Sequence, residues 1–262
     1  MPLGFSAGDV VRLAREAREG APQARPVLVL GPLAPQLARA LAAGADSHAV
    51  RTEGRPEQAS ALVCVLAGEP RAEQLELLRG AARALVPIVA VQTGEPRTRV
   101  PYVPAADVID CPPGRGFPVD EIAATLVRVL GKDVTGVAAR LPVLRDAALR
   151  RLVAESAGRA AVIAGAPWVR RSHLPLLVLL QARLLRDLAT ASGRPPPQTP
   201  QEVGVALGPE LSGTLAVGLA GRALSRSVSW AGAPGRAAIA LAGTLALGGL
   251  AATAHTRLGS PG

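Results

Sequence analysis

Short apolar runs alternate with segments of helical periodicity in the first half of the chain, and this alternation constrains the fold more than any other feature. Five runs are short and apolar or β-branched, as buried strands are: 27–31, 48–51, 61–67, 86–92 and 106–109. Three segments between or after them repeat apolar residues at helical spacing: 35–43, 71–85 and 119–130. Because alternation of this kind builds parallel sheets, we predict a reduced α/β domain over residues 25–133, with helices on both faces of a parallel sheet.

The second half has a different hydrophobic pattern, in which long apolar segments follow one another without strand-like alternation. Four segments separated by Gly, Pro and Arg have the length and composition of helices: 141–168, 174–193, 202–224 and 236–255. They predict an all-α, hydrophobic helical domain over residues 140–257. A further amphipathic helix is predicted over residues 1–24, with Ser6 as its candidate N-cap.

The basic charge of the chain is confined to its second half. Residues 1–133 carry 15 basic and 15 acidic side chains, whereas residues 134–262 carry 14 arginines and five acidic side chains, so the second half holds the whole excess of +9. A basic, apolar half favours an anionic partner, either a lipid surface or a nucleic acid. Aromatic residues make up only 2% of the chain, which disfavours base stacking and hence a nucleic acid. Since Lys132 is the only lysine, genome composition offers a second explanation for the arginine excess.

One apolar run approaches the length that a membrane-spanning helix needs. Residues 237–254 are 18 consecutive uncharged residues, but eight are alanine and three are glycine, which makes the insertion signal marginal. Tryptophan and arginine lie together at two segment junctions, as they do in interfacial anchors. The candidates for a membrane interface are Trp168, Arg170, Arg171, Trp230 and Arg236. We predict membrane association, with a wholly soluble helical bundle as the alternative.

The first predicted strand and helix are joined as a phosphate-binding loop would join them. Residues 27–44 read VLVLGPLAPQLARALAAG, an apolar run that ends in Gly31 and opens into a helix. A Walker-type loop that starts at Gly31 needs Gly, Lys and Ser or Thr, but the chain has Gln36, Leu37 and Ala38 there. None of these side chains can neutralise a phosphate or hold magnesium, and two prolines remove backbone donors from the loop. The pattern therefore predicts a structural turn rather than a nucleotide site.

No other pattern in the chain indicates catalysis, a metal or a cofactor. The three histidines have no metal-ligand spacing to one another, to cysteine or to a carboxylate cluster. The one GxSxG match, residues 4–8, lies in the predicted N-terminal helix and has no predicted strand before it, which the nucleophile motif requires. Cys64, inside the run ALVCVLAG, is interpreted as a small buried hydrophobe. Two carboxylates near the end of the last predicted strand, Asp107 and Asp110, are interpreted as turn or cap residues. We predict that the protein is not an enzyme.

The first half nevertheless resembles an Era-like GTPase domain of reduced size. Gly31 falls where the phosphate loop of that family begins, residues 88–96 resemble its guanine-reading strand and loop, and residues 107–122 resemble its last loop and helix. The family's Asn-Lys-x-Asp motif aligns with the four residues from Gln92 to Glu95, which lack the Asn and the Lys. No Asp-x-x-Gly magnesium motif appears between residues 50 and 92, and the match at residues 133–136 follows the last predicted helix of the domain. The resemblance implies a P-loop GTPase-like fold whose nucleotide-binding positions are degenerate.

The second half resembles the YcjF-like domain of unknown function. The likeness lies in residues 141–153, 174–194 and 235–248, and it departs from the family at Ser172-His173 and at Ser192. In bacteria that domain commonly follows an Era-like GTPase and is associated with membranes. The resemblance therefore implies a membrane-associated helical domain behind a GTPase-like one.

Two main functional hypotheses follow from these patterns. The first is a non-catalytic pseudo-GTPase that acts as a scaffold or partner subunit on the cytoplasmic face of the inner membrane. Its partners would be inner-membrane lipid or a membrane protein, and an active GTPase encoded nearby. The alternative is a soluble, cytoplasmic helical interaction module that packs on an active GTPase or self-associates through its helical domain. A nucleotide-responsive enzyme with a divergent loop is a third possibility.

Overall fold

The computed structural model describes residues 25–94, 99–165, 180, 183–184, 186–194 and 245. These residues fall into two compact units. The first, here called the sheet unit, comprises residues 25–148 and Ala191–Gly193, and the second, the helical unit, contains the described residues of Leu149–Thr190. The predicted N-terminal helix over 1–24 lies outside the described residues, as do the predicted helices over 202–224 and 236–255 except for Leu245.

The sheet unit is built on five parallel strands, which confirms the predicted α/β class and parallel sheet. The strands are β1 (Val27–Leu30), β2 (Val50–Arg51), β3 (Ala61–Leu66), β4 (Ile88–Thr93) and β5 (Val108–Cys111). Their order across the sheet is β2-β1-β3-β4-β5. Because β1 lies between β2 and β3, the chain moves to one side of β1 to form β2 and then to the other side to form β3, β4 and β5, as in doubly wound sheets.

Five helices accompany the sheet and continue beyond it within the described residues. They are α1 (Ala34–Leu41), α2 (Ala72–Arg83), α3 (Val119–Leu130), α4 (Val134–Arg140) and α5 (Arg145–Gly165). Right-handed crossovers that run in opposite directions along a sheet place their helices on opposite faces. The connection through α1 runs from β1 to β2 and the one through α2 runs from β3 to β4, so α1 and α2 cover different faces.

Both faces of the sheet are buried, which is why its strands are almost continuously apolar. On the α2 face, the strand residues Leu28, Leu62, Cys64, Leu66, Ile88 and Ala90 pack in one cluster with Leu78 and Ala81 of α2 and with Val100 and Val103 of the loop after β4. The alternate strand residues point to the other face. There Val63, Val65 and Val89 are fully buried.

The segment after α3 belongs to the sheet unit. Leu141 and Leu144 are buried, and Pro142 lies next to Gly44 at the end of the α1 connection. Arg140 Nη2 is 3.4 Å from Asp46 Oδ2. The pKa of the Asp46 carboxyl is lowered mainly by the hydrogen bond that it accepts from the backbone amide of His48, and also by Arg140. These contacts attach the residues that follow α3 to the edge of the sheet where α1 ends.

The helical unit is held in part by ion pairs along its helices. In α5, Arg151 Nε is 2.6 Å from Glu155 Oε1 and Arg159 Nη2 is 3.5 Å from Glu155 Oε2. Residues 186–191 are helical, and burial raises the pKa of the Asp187 carboxyl although Arg183 lies 3.8 Å away. The described residues of this unit are thus consistent with helices, while the predicted four-helix domain extends over residues that the structure does not describe.

Helix α2 ends in a left-handed residue that is not glycine. The amide of Val86 donates to the carbonyl of Ala81 and the amide of Leu85 donates to that of Ala82, which is the Schellman arrangement. Glycine is usual at the left-handed position of this arrangement. Here the position is occupied by Leu85, which has a φ of 55° and is 90% exposed. Its side chain gains little burial, so the strained backbone has no local compensation.

We expect the substitution Leu85→Gly to raise the free energy of unfolding by roughly 1 kcal/mol, because glycine adopts this backbone conformation without steric strain. Urea unfolding followed by circular dichroism measures the change. The control is Leu85→Ala, which keeps a Cβ at positive φ and should leave the stability within about 0.5 kcal/mol of the parent chain. Equal stabilisation by alanine and glycine would contradict the explanation.

Candidate functional site

The candidate site is the carboxyl edge of the sheet, where doubly wound proteins bind ligands at the point where the strand order reverses. Here that point lies between β1 and β3. The turn after β1 contains only residues 31–33, because α1 already begins at Ala34. A Walker-type loop that started at Gly31 would continue to the lysine position at residue 37. The turn is therefore too short to wrap around a phosphate group.

The backbone donors of this turn are used within the turn or are missing. Pro32 and Pro35 have no N–H. The amide of Ala34 donates to the carbonyl of Gly31 at 3.2 Å, and the amide of Gln36 donates to the carbonyl of Leu33 at 3.0 Å. A helix N-terminus attracts anions through amides that have no other acceptor. These contacts leave the start of α1 few amides with which to bind a phosphate.

The positions where a phosphate loop has its lysine and hydroxyl residue face the protein interior. Leu37 is fully buried and Ala38 is 9% exposed, whereas Gln36 is exposed. Leu37 shares its helix face with Leu41, which is also fully buried against the sheet. A longer or charged side chain at residue 37 would thus enter the hydrophobic core rather than the edge of the sheet.

Gly31 is required by the close approach of two strands' ends. Its φ is +108°, and a Cβ added to it would overlap the carbonyl oxygen of Val65 in β3. The glycine that resembles the first residue of a phosphate loop thus has a packing role at the junction of β1 and β3. The same contact directs the chain from β1 into α1.

Two side chains donate hydrogen bonds to the carbonyl groups at the end of β3. Gln74 Nε2 donates to the carbonyl of Val65 at 3.3 Å, and Thr93 Oγ1 donates to the carbonyl of Leu66 at 3.3 Å. The Oε1 atom of Gln74 accepts a hydrogen bond from the amide of Arg71 at 3.0 Å. Sequence reasoning missed both contacts. Gln74 belongs to no motif, Thr93 was considered only within the guanine-reading alignment, and their acceptors lie 9 and 27 residues away along the chain. Two carbonyl groups beside the point where the strand order reverses are therefore already hydrogen-bonded to side chains of the protein.

The residues that align with a guanine-reading motif begin inside the sheet. Gln92 is 5% exposed and lies opposite Asp110 in the register of β4 and β5. Thr93 is the last residue of β4, and Glu95 lies outside the described residues. The burial of Gln92 removes its amide from contact with a ligand at the surface of the edge.

The two carboxylates near β5 lie in different environments. Asp107 is 7% exposed, and its Oδ1 is 2.6 Å from Arg128 Nη1 of α3 in an ion pair that lacks the geometry of a directed hydrogen bond. Arg128 also donates to the carbonyl of Ala106 at 2.6 Å. Asp107 therefore helps to attach α3 to the start of β5, and Asp110 is exposed at the end of that strand.

Both cysteines are free and buried, which confirms the interpretation of Cys64. Burial raises the pKa of the Cys64 thiol to about 11 and also raises that of Cys111. The Cys111 thiol donates to the carbonyl of Gly116 at 3.1 Å. A buried thiol that stays protonated at neutral pH is a poor nucleophile.

The described part of the chain holds no group of three or more His, Cys, Asp and Glu residues that could bind a metal ion. Within the same residues, no helix combines the length and the apolar character that crossing a membrane requires. The longest described helix, α5, includes six charged side chains. The predicted membrane-interface residues Trp168, Arg170, Arg171, Trp230 and Arg236 lie outside the described residues, as does most of the apolar run 237–254.

Comparison with known proteins gives no relative: neither a protein-family model nor a curated protein nor a solved structure matches this chain.

We expect Gly31→Ala to lower the free energy of unfolding by about 3 kcal/mol or more, because the new Cβ must displace the carbonyl of Val65 as well as adopt a strained backbone. The matched control is Gly68→Ala at the end of β3. Gly68 has a similar φ of +99° but nothing within 4 Å of an added Cβ, so only the backbone strain of about 1–2 kcal/mol applies. Urea unfolding measures both, and equal losses would show that the contact with Val65 carries no energy.

Proposed function

We propose that this protein is a non-catalytic pseudo-GTPase, a scaffold or partner subunit whose α/β unit presents protein surfaces and whose hydrophobic second half associates with the inner membrane. One observation carries the proposal. Leu37, which stands where a GTPase-like loop has its phosphate-binding lysine, is fully buried on the inner face of α1. A chain that keeps the doubly wound sheet but uses this position for its core has given up phosphate binding there.

The surroundings of Leu37 support the same conclusion. The turn before α1 is short and its amides donate within the turn, and the β3 carbonyls at the reversal point accept from Gln74 and Thr93. Each of these groups would have to be released before a nucleotide could bind. The parallel sheet with reversal between β1 and β3 supports a nucleotide-fold ancestry, although the same order occurs in doubly wound proteins of other functions.

The membrane part of the proposal is supported by the sequence. The second half combines the whole net charge of +9 with the uncharged run 237–254 and with two tryptophans beside arginines. Basic residues next to an apolar segment bind anionic lipid surfaces, and apolar burial then adds to the affinity.

The nucleotide part is tested by thermal shift of the full chain with millimolar GTP or ATP and magnesium. We expect no change in Tm, because the described amides after β1 and the carbonyls at the end of β3 already have partners within the protein. A nucleotide present at 100 times its Kd would stabilise the folded chain by about 2.7 kcal/mol, a change that thermal shift detects easily. A nucleotide-dependent rise in Tm would overturn the proposal and favour an enzyme with a divergent loop.

The membrane part is tested by flotation of the full chain with vesicles that contain anionic lipid. We expect the chain to float with the vesicles and to remain bound in high salt, because burial of apolar surface is not screened by ions. The double variant Trp168→Ala/Trp230→Ala keeps the charge and should bind more weakly. Release by salt alone would argue against insertion. A chain that fails to float and is soluble without detergent would instead be the soluble interaction module.

A further inference from the structure

The outer surface of α2 carries a row of charged side chains at helical spacing. Leu78 and Ala81 are the buried residues of this helix, and Glu76, Arg79 and Arg83 project from the opposite side. The side chain of Glu76 is 68% exposed and that of Arg79 is 42% exposed. This row is here called the α2 ridge.

Charge is separated along the ridge, and one ion pair joins its two halves, with Arg79 Nη1 2.8 Å from Glu76 Oε1. Glu73 and Glu76 lie in the first half of α2, whereas Arg79 and Arg83 lie in the second half. A helix with this pattern is complementary to a second copy of itself that runs antiparallel, because each acidic half then faces a basic half. Such a pairing has a twofold axis near Gly80, which has no side chain to keep the helices apart; the neighbour on this side is Glu57, whose Oε1 is 3.8 Å from where a Cβ would lie.

Two exposed apolar residues lie beside the basic half of the ridge. Leu85 follows the end of α2, and Tyr102 is attached to the ridge because Arg79 Nε donates to its hydroxyl at 3.2 Å. Tyr102 is 49% exposed with φ of 67°, in a turn closed by the amide of Val103 and the carbonyl of Val100. Position i+2 of such a turn, after Pro101, usually holds glycine or asparagine.

Strain and exposure therefore coincide at these two residues. Leu33, Leu85 and Tyr102 are the non-glycine residues with positive φ in the described chain, and all three are exposed large hydrophobic residues. Unfavourable backbone that carries an unburied apolar side chain points to use of that side chain elsewhere. Tyrosine and arginine are the residue types that most often dominate the energy of protein interfaces.

We propose that the α2 ridge, with Leu85 and Tyr102 beside its basic half, is a self-association surface on which a second copy of this chain docks with its α2 antiparallel. Glu76 of one copy then faces Arg83 of the other, and Leu85 and Tyr102 of each copy lie beside the acidic half of the facing helix. The interface is isologous, so the assembly closes as a dimer. This inference is independent of nucleotide and membrane binding.

Sedimentation velocity of the full chain over a concentration series, in detergent where solubility requires it, tests the proposal. The parent chain should dimerise. The variants Arg79→Glu/Arg83→Glu and Glu73→Arg/Glu76→Arg each bring like charges together, so each should weaken the dimer at least about tenfold. An equimolar mixture of the two variants restores opposite charges across the interface and should dimerise again. Circular dichroism checks that both variants are folded.

Two results would overturn the proposal. A parent chain that is monomeric at all concentrations would show that a second copy does not dock on this surface. Dimers that persist in both charge variants would place self-association elsewhere, such as in the hydrophobic second half.

A matched pair of glycine variants tests the apolar contribution. Leu85→Gly relieves backbone strain on the ridge and removes its exposed side chain, so it should raise Tm and weaken the dimer. Leu33→Gly relieves the same kind of strain at the turn before α1, away from the ridge, so it should raise Tm and leave the dimer unchanged. Equal effects of the two substitutions on dimerisation would contradict a role for Leu85.

Discussion

The contact between Gly31 and the carbonyl of Val65, in the central strand β3, determines how the chain leaves β1. With no Cβ at residue 31, β1 and β3 stay close at their carboxyl ends, and α1 begins after a turn of only three residues. The early start of α1 then places Leu37 in the core. One steric requirement thus sets the connection, the helix position and the loss of space for a phosphate.

The same region shows how an edge that is usually a binding site can become part of the structural framework. Strand ends in doubly wound sheets are useful because their backbone groups remain available to ligands. In this protein the turn amides donate to carbonyls nearby, and Gln74 and Thr93 donate to the carbonyls at the end of β3. These hydrogen bonds stabilise the fold. Breaking them to bind a ligand would cost free energy wherever a polar group was left without a partner.

The function proposed above uses surfaces rather than a pocket at the edge. The α2 ridge is such a surface, since its charges are separated along one helix and two strained apolar residues lie beside it. Leu85 and Tyr102 would be easier to accommodate as glycine or asparagine if the monomer were all that mattered. A surface of this kind complements a scaffold or partner subunit, which works by binding other chains.

The alternation of apolar runs and helical periods was enough to predict the α/β class and the parallel sheet. The residues Gln36, Leu37 and Ala38 were also enough to predict that the first turn is structural, because side-chain chemistry is readable without coordinates. Periodicity reports which local residues are buried. It does not report which distant groups they meet.

The sequence by itself therefore determined the class of the first unit, the burial of Cys64 and the absence of phosphate-binding side chains after Gly31. Only the tertiary structure decided the strand order, the fit of Gly31 against Val65, and the pairing of Gln74 and Thr93 with the end of β3. It also decided that the charged row of α2 and the side chain of Tyr102 share one surface. The physical reason is that local patterns record the polarity of each position, whereas these contacts join residues far apart in the chain and depend on how the whole sheet is assembled.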